Sequence, residues 1–424
     1  MILCPPGHNY LPYQVEGIQF AKDKCSVLIA DEMGLGKTVQ AIGWLNAHPE
    51  VETCLVVCPA SLKINWAREM DKWLVSPCVD VTIVNYDVLH KMDMSVVYDV
   101  VVFDEAHYLK THDAKRSRLA RCIQARNKVL LSGTPILNKP IELWHLLHIL
   151  DPQAWPLKSR MAYALRYCAA YQKRIGKKSV WDVSGSSNLG ELRQLLAPIM
   201  IRRLKADVLK ELPPKRRQIL ELPAAGDIKI RRMLKEWDER LDYHAKVKGM
   251  KDPVSVMWTE MASMRREVAL AKLPMAIQII ENAVESSGQV VVFAHHHEVI
   301  DKLAEHLPSC VVVDGRTPLK DRQLAVDHFQ HHHSKVFIGQ IQAAGVGLTL
   351  TAASHVIFVE LSWVPGEMSQ AEDRCHRIGQ TDSVLVQHLV LENSLDAKIA
   401  KALVRKQGVI ERALDAQKEE EAHV

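Results

Sequence analysis

No apolar run in the 424-residue chain approaches the roughly 20 residues that a membrane-spanning helix needs. Met1–Tyr10 lacks the basic-then-apolar order of a secretory signal. Both absences point to an intracellular protein, cytoplasmic or nucleoid-associated, or nuclear in a eukaryote. No Cys-x-x-Cys pair occurs, and the nine cysteines are an odd number set mostly in apolar runs such as Cys54-Leu55-Val56-Val57-Cys58. That usage describes buried reduced thiols rather than a disulfide framework or a zinc ribbon. There is no repeat and no low-complexity segment. A net charge of +4 is too small to argue by itself for a nucleic-acid partner.

What is there is an ordinary globular composition, 48% hydrophobic and 25% charged, over a length that accommodates two or three domains. Short β-branched runs recur, separated by helix-length segments. In the first half they are Val27–Ala30, Cys54–Cys58, Val100–Asp104 and Lys128–Ser132. In the second they are Gln289–Ala294, Cys310–Asp314, Lys335–Gly339, His355–Glu360 and Val384–Val390. Continuous apolar strands alternating with helices predict parallel sheets covered on both faces, hence two α/β lobes with separate cores.

Between Pro135 and Gln289 that rhythm fails. Leu143, Leu146, Leu147 and Leu150 fall at helical spacing, and Asp151-Pro152 and Leu212-Pro213-Pro214-Lys215 are breakers. The stretch predicts helical protrusions on both lobes, with the crossing between them near 205–225. Residues 158–217 hold fifteen Lys/Arg against four Asp/Glu, a belt suited to a polyphosphate track or else to a solvated helical surface. Lys418–Val424 reads as a frayed tail.

Three motifs carry chemistry. Val27–Ala30 feeds Asp31-Glu32-Met33-Gly34-Leu35-Gly36-Lys37-Thr38, and the residues that follow have helix pattern. A strand, glycine-rich loop and helix aim backbone N–H groups and the positive helix end at phosphate. Lys37 is placed to contact the β- and γ-phosphates of ATP and Thr38 to ligate Mg2+. The general phosphate-loop pattern asks for glycine at position 31, and this chain has aspartate. Asp104 and Glu105 end an apolar strand within Asp104-Glu105-Ala106-His107, a DEAH box by spelling. Asp104 suits the metal shell and Glu105 the attacking water. Arg374 and Arg377 are three apart, on one face if helical, and supply cationic charge from the other lobe. Together these are the parts of an NTP-hydrolysing motor.

On these residues the chain resembles the Snf2 family of superfamily 2 over almost its whole length. Leu11-Pro12-Tyr13-Gln14 is similar to the family's adenine-reading segment, with Gln14 on the base. Pro59–Leu62 with Asn65, Trp66 and Glu69 resembles motif Ia, Asn85-Tyr86 the next DNA-contacting motif, and Leu131–Pro135 with Asn138 motif III. Ile201-Arg202-Arg203 and Leu212–Lys215 match the link between lobes. Gly315-Arg316-Thr317, Arg322 and Phe329 fit a second-lobe motif. Ala344–Leu350 resembles motif V, Ser362-Trp363 and Pro365 the segment after it, and Gln370–Gln380 motif VI. Phe293-Ala294-His295-His296 and Glu360–Gly366 are most similar to the annealing-helicase branch.

The resemblance implies two RecA-like lobes with parallel sheets and Snf2-type helical protrusions. Lobe 1 would be 1–210, with a protrusion at about 140–205; lobe 2 would be 211–424, with a protrusion at about 223–275. No recognisable module precedes residue 11, so the expectation is a nearly bare motor core. The implied activity is ATP-dependent translocation on double-stranded DNA without base readout, with forked DNA as a finer substrate and strand annealing as a finer outcome. Met33, Gly34, Leu35, Gly36, Lys37, Thr38, Gln14, Gly347 and Gln370 are the implied nucleotide contacts. Lys63, Asn65, Thr349 and Trp363 are candidate strand contacts. A strand-separating DNA or RNA helicase is the alternative enzyme, and a scaffold with a decayed site the alternative class.

Two histidine runs, His295–His297 and His331–His333, invite a metal reading that consecutive side chains do not support. Cys54 and Cys58 read as positions in a buried strand, and Trp144, Trp155 and Trp258 as packing residues rather than stacking platforms.

Overall fold

The computed structural model describes residues 2–223 and 253–400, except 77, 112–113, 137–138, 154–158, 176–177, 346, 393, 395 and 398. The side chains of 175, 178 and 253–261, and nearly all of 224–252 and 401–424, also lie outside the description. That excludes Asn138, Trp155, the Trp258 side chain, the C-terminal tail and most of the expected second protrusion. The chain divides into two compact units, Met1–Glu211 and Leu212–Arg405.

The first unit contains β1 (Ser26–Ile29), β2 (Thr53–Cys58), β3 (Asp80–Asn85), β4 (Val97–Phe103), β5 (Gln124–Leu131), β6 (Tyr171–Ile175), β7 (Lys178–Asp182) and β8 (Met200–Ile201). Six of these form a sheet in the order β3-β2-β4-β5-β1-β8, parallel at every pairing. The second unit contains β9 (Lys215–Leu222), β10 (Val290–Ala294), β11 (Cys310–Val313), β12 (Val336–Gln340), β13 (His355–Phe358) and β14 (Val384–Leu391). They form a second parallel sheet, ordered β11-β12-β10-β13-β14-β9.

The nine strands expected from apolar runs are all present, and the central ones carry the cores. Val290–Ala294 is buried throughout, and Cys54–Cys58 likewise. The remaining strands of the two sheets, β3, β8 and β9, are edge strands in the case of all three. An edge strand has one neighbour and one solvated side, so it needs no continuous apolar run. β9 reads Lys-Arg-Arg-Gln-Ile-Leu-Glu-Leu and is mostly exposed. The crossing expected near 205–225 therefore includes a strand of the second sheet.

Helical spacing reads correctly at Ile141–Leu150, where Leu143, Trp144, Leu146, Leu147 and Leu150 are buried. The expected first protrusion is not all helix, however. β6 and β7 form an antiparallel hairpin between the helices Arg160–Tyr167 and Leu189–Leu196. Among the described residues no helix is long and apolar enough to cross a membrane.

Buried ion pairs tie the second unit together. Lys272 donates to Leu389 O at 2.8 Å and pairs with Asp396, joining the long helix Pro253–Ser287 to the segment after β14. β9 is held by Lys215, whose ammonium lies 2.8 Å from Asp373 and 3.0 Å from Glu372, and by Arg217 on Glu372. Burial opposes the charge on Glu372, but Lys215, His388 and Arg217 outweigh it and hold its pKa well below the usual glutamate value.

Because the folded pKa of Glu372 is depressed, its contribution is fully present above the unfolded value of about 4.3 and is lost as pH falls below it. Glu372→Gln is expected to cost about 3 kcal/mol at neutral pH and to lower Tm. The gap to the parent chain should narrow as the pH falls below about 4. A gap that is constant with pH in thermal melts would remove the ion pair from the account.

Candidate nucleotide site

The turn after β1 is built by two glycines with left-handed backbone, Gly34 at φ 86° and Gly36 at φ 73°. Gly36 precedes the helix Lys37–Asn46. A Cβ at Gly36 would stand 2.5 Å from Gln14 Nε2, so backbone shape and packing both demand glycine there. Gln14 is oriented against this loop. Its Oε1 accepts from Leu11 N at 3.0 Å and its Nε2 donates to Leu35 O at 3.4 Å. Met33 and Leu35 are buried, which leaves their backbone as what they can offer a ligand. Thr38 is half-buried in the helix's first turn.

Lys37 Nζ donates to Asp31 O at 2.8 Å and Glu32 O at 3.3 Å. Burial lowers its pKa, with Glu105, Asp31 and Asp104 acting in the opposite direction. The turn after β5 closes over it. A Cβ on Gly133 would lie 2.3 Å from Met33 Cγ and 3.1 Å from Lys37 Nζ, so the Ser132-Gly133-Thr134 turn approaches the loop only because residue 133 has no side chain.

Asp104 and Glu105 follow β4 directly. Asp104 Oδ2 accepts from Trp66 Nε1 at 2.7 Å, Oδ1 accepts from Glu105 N at 2.8 Å, and Tyr86 OH donates to Asp104 O at 2.7 Å. Burial and the neighbouring Glu105 raise the Asp104 carboxyl to about 6, against the Trp66 hydrogen bond. Glu105 has φ 48°, an uncommon conformation for a non-glycine residue that recurs at functional sites. Its Oε2 lies 3.3 Å from His107 Nδ1.

Asp31 is fully buried and has a partner that the pattern did not reveal. Oδ1 accepts from Arg203 N and Nε, both at 3.0 Å; Oδ2 accepts from Arg203 Nη2 at 2.5 Å and from Gln40 Nε2 at 2.9 Å. The same guanidinium donates to Gln40 Oε1 at 2.9 Å and to Tyr13 O. Gly17 makes room for this network, since a Cβ there would sit 2.0 Å from Gln40 Oε1. Arg202 donates to Ala30 O at 3.0 Å and Gly133 O at 3.4 Å, and Lys205 N donates to Glu32 Oε2 at 2.7 Å. The chain leaving β8 is thus laced to the phosphate loop along its length. Aspartate replaces the generic glycine because this arginine needs a buried counter-charge.

Lys63 and Asn65 are exposed on the helix Lys63–Trp73, whose Trp66 turns inward to Asp104. One short helix therefore carries two outward polar groups and one brace for the acidic site.

In the second unit, Arg374 and Arg377 lie beyond the helix Pro365–Glu372, in turns rather than on a helical face. They still converge. Arg374 Nη1 donates to Leu348 O at 3.4 Å and Arg377 Nη1 to the same oxygen at 3.5 Å. Arg374 Nε donates to Gln370 O at 3.0 Å, and Arg377 Nη1 to Thr349 Oγ1 at 2.9 Å. Gly347 has φ 80° in the same loop. Thr349 is thus engaged by Arg377, and Trp363 packs half-buried against the core. His296 Nδ1 lies 2.6 Å from Glu360 and His297 Nδ1 3.2 Å from Asp314, each paired with a separate carboxylate.

A SNF2-related domain model matches residues 13–87 and 78–227, and a helicase conserved C-terminal domain model matches 271–379. The chain is 37% identical to the DNA annealing helicase and endonuclease ZRANB3 of Bos taurus, over 96% of this chain and 41% of that protein. It is 36% identical to the SWI/SNF-related matrix-associated actin-dependent regulator of chromatin subfamily A-like protein 1 of Xenopus tropicalis, over 92% and 43%. The chain spans about two-fifths of the length of these curated relatives. Among solved structures, the Sulfolobus solfataricus SWI2/SNF2 ATPase core in complex with dsDNA matches 97% of this chain and 94% of that one, at 24% identity and a TM-score of 0.45. The matching models are Snf2-related, so the DEAH spelling at 104–107 is not a group label.

Asp31→Gly restores the generic phosphate-loop pattern, yet it removes the buried counter-charge of the half-buried Arg203 and leaves it only the exposed Glu16 at 3.6 Å. It is expected to destabilise the chain by about 3 kcal/mol in urea denaturation. Unchanged or increased stability would show that the pair does not hold the loop.

Proposed function

The chain belongs to the Snf2 family, and from that premise we propose that it is an ATP-dependent translocase on double-stranded DNA. The observation that carries this is the meeting of Lys37, Asp104 and Glu105 at the start of the helix Lys37–Asn46, with Lys37 half-buried and its charge favoured by both carboxylates. A phosphate-binding loop beside an acidic pair is the equipment for cleaving a nucleoside triphosphate.

The residues fit magnesium. Asp104 is a buried carboxylate whose charge is opposed by burial and by Glu105, and Thr38 adds a hydroxyl in the adjoining helix turn. Asp104 and Thr38 would hold Mg2+, which would supply positive charge to offset that of the phosphates. Lys37 would exchange its two carbonyl partners for phosphate oxygens of ATP. The Gly34 and Gly36 turns leave backbone N–H groups for the anion, and Gln14 adjoins them for the base. Glu105 would orient the attacking water, with His107 beside it. Arg374 and Arg377 would supply cationic charge from the second lobe, a device worth about 10³–10⁵ in rate in related chemistry.

In this reading lobe 1 is 1–210 and lobe 2 is 211–424, and hydrolysis is converted into movement between them. Lys63, Asn65, Thr349 and Trp363 would face the track. Thr349 would do so after exchanging its Arg377 contact. Contacts of this kind hold backbone and not sequence. Two relatives of the chain are named for DNA annealing (ZRANB3 of cattle and of humans), which favours forked DNA as substrate and strand annealing as one outcome. The setting would be the cytoplasm, nucleoid or nucleus, wherever that DNA lies.

Steady-state ATP hydrolysis should be measured without nucleic acid and with blunt duplex, forked, single-stranded DNA and RNA, with Glu105→Gln as the inactive control. Duplex DNA is expected to stimulate hydrolysis and forks to stimulate it further. Stimulation by single strands or RNA alone would replace the proposal with a strand-separating helicase. No hydrolysis with any of them would sink it.

A further inference from the structure

The motor chemistry leaves the construction of the β6–β7 hairpin unexplained. Its register pairs Tyr171 with Asp182, Gln172 with Trp181, Lys173 with Val180 and Arg174 with Ser179. Side chains alternate across a ribbon, so Tyr171 and Lys173 share one face and Trp181 and Arg174 the other. Neither face is covered at the described residues. Tyr171 is 54% exposed, Val180 48% and Trp181 39%, and Gln172, Lys173, Arg174 and Ser179 are exposed as well.

An isolated two-stranded ribbon is marginal in water, and among the described residues the side chains of this one from Tyr171 to Arg174 and from Ser179 to Trp181 are exposed. Its base, by contrast, is firmly held. Arg166 O accepts from Ser187 Oγ at 2.7 Å and Asn188 Nδ2 at 2.8 Å, and Ser187 Oγ accepts from Ala169 N at 3.0 Å. Ser187 N donates to Tyr167 O at 2.9 Å, and Tyr167 OH donates to Glu191 Oε1 at 2.9 Å. Arg166 Nε meets the same carboxylate at 3.1 Å. Both ends of the ribbon are therefore clamped to the helices Arg160–Tyr167 and Leu189–Leu196, which bury one face each, and the described side chains of the limb beyond them are exposed.

Charge says what covers it. Residues 171–182 carry four Lys/Arg against one Asp, inside a wider basic belt. The register puts Trp181 and Arg174 on one face and Tyr171 and Lys173 on the other, where Asp182 accepts from Tyr171 OH at 3.4 Å. Rings on which bases stack, interleaved with cations for phosphates, are how proteins hold unpaired nucleic-acid strands. A paired base in a duplex interior offers no free face to such a ring. We propose that the β6–β7 hairpin is a junction-binding element: it engages unpaired bases where a DNA duplex opens, through Tyr171 with Lys173 on one face and Trp181 with Arg174 on the other. This deepens the translocase reading and rests on it for the presence of DNA.

The test is nucleotide-free binding of the full chain to a forked DNA and to a blunt duplex of equal length, by fluorescence anisotropy, with duplex-stimulated hydrolysis measured in parallel. Tyr171→Ala/Trp181→Ala is expected to weaken fork binding about tenfold or more while leaving blunt-duplex affinity and duplex-stimulated hydrolysis unchanged. Tyr171→Phe/Trp181→Phe keeps the rings and should retain fork affinity. Fork binding unchanged by the alanines, or lost equally on fork and blunt duplex, would overturn the proposal. So would loss of fork affinity in the phenylalanine variant. Because binding is read without ATP, an absence of duplex-stimulated hydrolysis in the parent chain would sink the translocase reading without deciding this one.

Discussion

The ion pair between Asp31 and Arg203 is the interaction on which the geometry of the candidate nucleotide site depends. Asp31 has no exposure at all, so its charge is tolerable only because Arg203 and Gln40 hydrogen-bond both carboxylate oxygens. Removing a buried charge from its partner costs several kcal/mol, whereas the intact pair is near neutral for stability. Its value is therefore geometric. The pair fixes the entry to the phosphate loop against the helix Pro12–Lys22, through Tyr13, and against the chain that leaves β8. That chain is the edge of the first sheet and the last stretch before the second unit begins at Leu212. Any displacement of 201–205 acts on Ala30, Asp31 and Glu32 through the hydrogen bonds that lace them together.

A second linkage runs through Trp66. It is fully buried, and its indole N–H is spent on Asp104, while Lys63 and Asn65 on the same helix face solvent. A single helix turn thus connects the exposed residues to a carboxylate of the candidate site. Gly133 makes a comparable link from the turn after β5 to Lys37. These are contacts of packed, hydrogen-bonded groups, the kind of physical network that carries coupling between a site and a surface.

Much of this was legible in the chain itself. Buried central strands announce themselves as apolar runs, because both faces of a parallel sheet are covered. Three of the four edge strands, β3, β8 and β9, carry no such run and were missed, whereas the fourth, β11, is apolar and was read. The β6–β7 hairpin was read as helix because its exposed faces carry no apolar alternation strong enough to interrupt the leucine-rich helices around it. Spacing singled out the candidate phosphate loop, acidic pair and arginines, but not their local geometry. Arg374 and Arg377 meet at Leu348 O from turns, and not from a helix. The aspartate at 31 looked like a defect in a pattern. Its reason lies 172 residues away, at a distance in sequence that no local spacing rule can reach.

Nucleotide affinity in a double-mutant cycle over Asp31→Ala and Arg203→Ala, read with a fluorescent ATP analogue, asks most directly whether that pair shapes the phosphate loop. Each single change is expected to weaken binding. The double change should be no worse than the more damaging single one, giving a coupling of about 1–3 kcal/mol. Single changes that leave affinity intact, or losses that simply add, would contradict the dependence of the nucleotide site on this ion pair.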